Sequence, residues 1–167
     1  MSKTTENTEK IFITKVKMNN DGTAKIWYKA TDDESSREVL FKRDEPVTEI
    51  FAEAFQNGAD GFLGCIPLLS ADASNISMNE IRFDYDCAGK LDKALYSVKY
   101  AFNEANNAVI NISTPLIPID REELAGCFTI SGKHISDLQE IIKQAKAYIN
   151  GETRIKQGTL ELVKGAK

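Results

Sequence analysis

The sequence predicts an α+β fold: a mostly antiparallel sheet of about six strands with two main helices packed on one face, in the order βββα-βββα. Two observations predict it. Period-two alternation appears in two groups of three runs joined by turn signals, and a stretch with helical spacing closes each group. Helices at the ends of strand runs favour one antiparallel sheet; two small sheets, one per half, are the alternative. The halves do not align well with each other, so the repeated grammar alone does not establish an internal duplication.

Residues 1–10 read as a flexible, polar lead-in, 11–151 as a single α+β domain, and 152–167 as a polar, mildly basic, mobile tail. In the first strand, Ile11 to Met18, simple alternation puts Phe12, Thr14, Val16 and Met18 on one side. Ile11 and Ile13 then share the other with Lys15 and Lys17. Asn19-Asn20-Asp21-Gly22 is a hairpin turn signal, because these residues tolerate positive φ. The second strand, Ala24 to Ala30, alternates Ala24, Ile26, Tyr28 and Ala30 against Lys25, Trp27 and Lys29, and Glu38 to Lys42 is the third. Asp44-Glu45-Pro46 reads as a helix start. Val47, Ile50, Phe51, Ala54 and Phe55 form its apolar stripe, and Gly58 and Gly61 its end. Phe62 to Leu69, interrupted by Pro67, reads as a buried connection or short edge strand.

In the second half, Ile81, Phe83 and Tyr85 alternate in one strand, then Ala94 to Phe102 in a longer one. After a turn at Asn103–Asn107, Ala108 to Thr114 forms the next, with Ile110 and Ile112 inward. A short helical turn is expected from Asp120, with Glu122 and Glu123 placed for the helix dipole. The last helix spans about Ile135 to Ile149 on the stripe Ile135, Leu138, Ile141, Ile142, Ala145, Tyr148 and Ile149, with Gly151 as its C-terminal cap.

The chain has 167 residues, 42% hydrophobic and 28% charged, with a net charge of −4, all ordinary for a folded domain. That charge offers no general attraction to nucleic acid or anionic membrane, although it leaves room for a local basic patch. No apolar run is long enough to span a bilayer and no secretory h-region opens the chain, so the sequence reads as cytoplasmic and without a membrane partner. Cys65, Cys87 and Cys127 are odd in number and widely spaced, which fits reduced thiols better than a disulfide framework. With His134 they could supply four zinc ligands, but their spacing resembles no zinc motif, so neither a metal nor a cofactor is expected.

Candidate chemistry is sparse, and no catalytic motif emerges. Ser–His or Cys–His catalysis needs a base, and His134, in a loop before the last helix, reads as a solvated side chain. Ser131-Gly132-Lys133 leads into that helix and offers a phosphate or anion site at its N-terminus, without the spacing of a phosphate-binding loop. Asp32-Asp33-Glu34 reads as an exposed loop, and Asp84 with Asp86 as a solvated strand face. The feature with most content is the first hairpin. Lys15, Lys17, Lys25 and Lys29 can surround Trp27 on its outer face, as in proteins that stack bases on an aromatic side chain and hold phosphates with lysines. Lysines that discourage edge pairing explain the same pattern without a ligand.

A family resemblance rests on short pieces in order. Phe41-Lys42-Arg43-Asp44-Glu45-Pro46 with Phe51 and Ala54 comes first, then Ile81-Arg82-Phe83-Asp84-Tyr85. Ala105-Asn106-Asn107 and Ile112-Ser113-Thr114-Pro115 follow, and Tyr148-Ile149-Asn150-Gly151 with Arg154, Gln157 and Leu160 closes it. Over about residues 38–160 this resembles a family of small tailed-phage or prophage early-region proteins. The chain departs from that pattern at Ser113, where asparagine is frequent, and in its longer tail. The resemblance implies a setting among replication and recombination genes and supplies no catalytic residues.

The expectation is therefore a non-enzymatic accessory protein that acts by binding, with single- or double-stranded DNA as the partner. The alternative is an interaction module that inhibits or sequesters a host factor, or binds another phage protein. A sliding-clamp-like module fits less well, because the first helix is acidic outside, although the second carries Lys143 and Lys146.

Overall fold

The computed structural model describes residues 9–32, 34–66, 73–102, 108–120 and 129–154. Strands β1 (Lys10–Met18), β2 (Ala24–Thr31) and β3 (Ser36–Lys42) precede helix α1 (Glu49–Cys65). Strands β4 (Ile76–Tyr85), β5 (Leu91–Ala101), β6 (Val109–Ser113) and the two-residue β7 (Ile117–Pro118) precede helix α2 (Lys133–Ile149). All pair antiparallel in one sheet of order β3-β2-β1-β4-β5-β6, with β7 also on β5. The two three-strand groups meet at a short β1–β4 seam, so the strand order is symmetric about it.

The hairpin turn closes as its residues dictate. Asn19 N donates to Thr23 O, Asp21 Oδ1 accepts from both the amide and the hydroxyl of Thr23, and Gly22 takes φ +82°. β1 departs from simple alternation. A bulge between Ile13 and Lys15 shifts the register, so Ile11 and Ile13 before it, and Val16 and Met18 after it, all face the core. Phe12 is thereby turned to the other face, opposite Lys29. One extra residue reverses the parity that points inward, and the bulge lets both apolar pairs be buried together.

Helix α1 starts later and ends later than its sequence suggests. Thr48, not the Asp44-Glu45-Pro46 segment, is the N-cap, its hydroxyl accepting from Phe51 N. The preceding chain is held elsewhere: Val47 N donates to Gly22 O, and Arg154 N to Pro46 O. Ile50 points to solvent at 54% exposure, and the buried stripe is Phe51, Ala54, Phe55, Gly58, Ala59 and Phe62. Gly58 and Gly61 lie inside the helix rather than ending it. A Cβ on Gly58 would stand 2.9 Å from Ile81 Cδ1, and one on Gly61 2.6 Å from Tyr96 Oη. The glycines thus let α1 lie close on β4 and β5, and Phe62 to Cys65 continue the helix.

Both helices cover the same face. Ile13, Val16, Ile26, Ile81, Tyr96 and Val98 from the sheet pack with Phe51, Phe55 and Phe62 of α1 and with Leu138, Ile141, Ala145 and Tyr148 of α2. Ile135, Ile142 and Ile149 complete the α2 stripe as half-buried contacts, and Gly151 follows at φ +101°. The turn at Asn103–Asn107, residues 121–128, the tail from 155 and the Pro67–Leu69 part of the connection lie outside the described residues. No helix among the described residues is long and apolar enough to cross a membrane.

Candidate nucleic-acid interface

Strand alternation decides what the helix-free face displays. From β1 it carries Lys10, Phe12, Lys15 and Lys17, and from β2 Lys25, Trp27, Lys29 and Thr31. β3 contributes Glu38, Leu40 and Lys42 opposite β2. β4 adds Glu80, Arg82 and Asp84, and β5 adds Lys93, Leu95, Ser97 and Lys99. Among the described strand residues, nine basic side chains thus share the face with three carboxylates, on a chain whose net charge is −4. The acidic side chains Glu49, Glu53 and Asp60 of α1 are exposed in the helical layer on the other side.

The five residues expected around the hairpin are all brought together. Trp27 pairs directly with Lys15 and with Leu40, while Lys25 pairs with Lys17 and Lys42. Lys15 Nζ stands 3.9 Å from the centroid of the indole and 3.6 Å from Glu80 Oε2. Glu80 also accepts from Arg82 Nε at 2.7 Å, and Lys29 reaches Glu38 at 4.0 Å. Among the described residues no carboxylate lies within ion-pair distance of Lys17, Lys25, Lys42 or Lys99. Leu40, 44% exposed, extends the apolar centre beside Trp27.

Lys10, Lys42, Arg82, Lys93 and Lys99 escape sequence reasoning. Lys10 and Lys42 extend the hairpin set along β1 and across to β3, and the β1–β4 seam brings Arg82, Lys93 and Lys99 beside it. The same seam creates a groove. β1 pairs with β4 only from Lys15 to Lys17, so beyond the bulge the strands part and leave a space of about 400 Å³ lined by Phe12, Thr14, Phe83, Asp84, Tyr85 and the Asp86–Gly89 turn.

The other candidates resolve differently. Gly132 is the N-cap of α2, at φ +54° and with no side-chain cap, and Ser131 O accepts from His134 N. Lys133 Nζ lies 3.3 Å from Asp60 Oδ2 and 4.0 Å from Asp137 Oδ2, so two carboxylates already balance the cation expected to hold an anion there. His134 belongs to the first turn of α2 and is half-buried, not a loop residue in solvent. Its Nδ1, Asp137 Oδ2 and Tyr96 Oη are buried without hydrogen-bond partners among the described residues, the first two 4.0 Å apart. Burial pushes the Cys65 thiol up to about 11, which keeps it protonated and poorly nucleophilic at neutral pH. Cys87 is exposed in the groove-side turn, and Cys127 lies outside the described residues. No three potential ligands converge on a metal position among the described residues. Comparison of the chain with protein-family models, with curated proteins and with solved structures finds no match.

Proposed function

We propose that this chain binds single-stranded nucleic acid across the helix-free face of its sheet, as an accessory protein that works by binding rather than by catalysis. The observation that carries this reading is the distribution of charge: a sheet face rich in lysine around Trp27 and Leu40, with the exposed carboxylates of α1 on the opposite side of the sheet. Net charge does not decide the matter. The carboxylates of α1 and the lysines lie on opposite sides of the sheet, and solvent-exposed charges farther apart than the Debye length of about 8 Å at physiological salt are largely screened from each other. A polyanion at the sheet therefore responds mainly to the lysines.

Single strands are favoured over duplex because an indole among lysines can stack a base only where that base is accessible. The resemblance to tailed-phage early-region proteins supports the same setting. Changing Lys25, Trp27 and Lys29 together to alanine tests it by fluorescence anisotropy with a labelled DNA oligonucleotide. Binding should weaken at least about tenfold, since one base stack alone contributes about 1–3 kcal/mol. Unchanged affinity in the triple variant would remove the hairpin from the interface.

One observation favours a protein partner instead. Edge strand β6 is uncharged, with Val109 and Ile110 at 57% and 43% exposure, whereas the opposite edge β3 carries Arg37, Glu38 and Lys42. An edge strand without charges can accept a strand from another chain. An Ile110→Lys variant that loses a stoichiometric partner while retaining DNA affinity would favour that reading.

A further inference from the structure

We infer that the groove between β1 and the Asp86–Gly89 turn is a pocket for one unstacked nucleobase bearing an exocyclic amino group; this rests on the single-strand reading above. Its volume of about 400 Å³ is within the range of small-molecule sites. Phe12 forms one wall and meets Tyr85 edge to face, with ring centroids 5.4 Å apart. Tyr85 Oη donates to Ile13 O at 2.7 Å, which fixes that ring before any ligand arrives. A Cβ on Gly89 would stand 2.9 Å from Phe12 Cε1, so glycine lets the turn close down on the wall.

The polar groups select the occupant. Lys10 and Lys29 line the same groove and are placed for the phosphates of a strand entering from the sheet. Asp84 brings a carboxylate whose Oδ1 accepts from Tyr85 N at 3.1 Å. A carboxylate accepts from the amino group of cytosine, adenine or guanine, whereas thymine and uracil present a carbonyl at the corresponding position. Position supports the pairing with the sheet. Phe12 stands opposite Lys29, two residues along β2 from Trp27, or about 7 Å at roughly 3.3 Å per residue. One base on Trp27 and a neighbour in the groove are therefore compatible with one strand.

The test compares a deoxycytidine with a deoxythymidine dodecamer by anisotropy, on the whole chain and on Asp84→Asn. The cytidine strand should bind at least about fivefold more tightly to the unaltered protein, and the difference should shrink to about twofold or less in Asp84→Asn. It should also slow alkylation of Cys87, which lies in the groove-lining turn. Equal, salt-sensitive affinity for both strands, or unchanged Cys87 reactivity with cytidine strand bound, would overturn the pocket and leave the sheet interface standing. Failure of both strands to bind at low salt would overturn the two together.

Discussion

Substituting Gly61 by alanine tests whether α1 lies as close to the sheet as its glycines imply. In an exposed helix interior the change would stabilise by about 0.8–1 kcal/mol through helix propensity. Here the new methyl would stand 2.6 Å from Tyr96 Oη, 2.9 Å from Cζ and 3.1 Å from Cε1. Tyr96 is 1% exposed and sits mid-strand, so its ring has little freedom to retreat. Overpacking of this kind costs about 1–3 kcal/mol, which leaves a net destabilisation of about 1 kcal/mol, or about 2–4 °C in Tm for a chain of this size. Tyr96→Phe should itself stabilise by about 1 kcal/mol, because the phenol hydroxyl is buried without a partner among the described residues. In that background the 2.6 Å contact is gone while those at 2.9 and 3.1 Å remain, so Gly61→Ala should still destabilise but by less, giving a coupling of at least about 0.5 kcal/mol in a double-mutant cycle. Urea unfolding followed by circular dichroism reads all four stabilities. A Gly61→Ala protein that gains the full propensity term, with no coupling to Tyr96, would refute the close approach.

Iodoacetamide at neutral pH should modify Cys87 well before Cys65, since burial holds the Cys65 thiol near 11; peptide mass spectrometry with equal rates at the two sites would contradict this. Tyr148→Phe should lose about 1 kcal/mol, because Tyr148 Oη donates to Glu45 O at 2.6 Å and ties α2 to the chain before α1; thermal denaturation measures it. Asp21 and Asp32 are held below the ordinary 3.8, Asp21 first by the Thr23 hydroxyl and amide, Asp32 first by the amides of Glu34 and Ser35. Depressed folded values mean that both turns are fully supported above about pH 3.8 and weaken as pH falls through the lower native midpoints. NMR titration should find both midpoints below 3.8, and an ordinary midpoint at either residue would exclude the drawn turn.

The fold is legible wherever short-range pattern and long-range packing agree. The β1–β2 turn carries its own chemistry in Asn19, Asp21 and Gly22, and α2 repeats its apolar stripe without interruption. Reading fails where a tertiary contact overrides a local rule. Gly58 and Gly61 look like helix ends because glycine lowers propensity, yet Ile81 and Tyr96 need the space that their missing side chains leave. The β1 bulge is equally hidden, since nothing local tells Thr14 to be skipped; only the joint burial of Ile11, Ile13, Val16 and Met18 does. The same division holds for the candidate interface. Lys15, Lys17, Lys25, Trp27 and Lys29 belong to one hairpin and can be grouped by alternation alone. Lys99, Arg82 and the Phe12–Tyr85 groove depend on β1 lying beside β4, a neighbour relation with no local signature.

Trp27 is the chain's single tryptophan, so its emission reports on the hairpin part of the sheet face. The most direct measurement is a fluorescence titration with single-stranded DNA at low and moderate salt. If about five phosphates are engaged, log K should fall against log salt with a slope of about −3.5, about a hundredfold loss between 50 and 200 mM. Single-strand binding at Trp27 should give saturable quenching with that salt dependence, and much weaker quenching by duplex of the same length. Unchanged Trp27 emission at saturating single strand, or binding insensitive to salt, would contradict it.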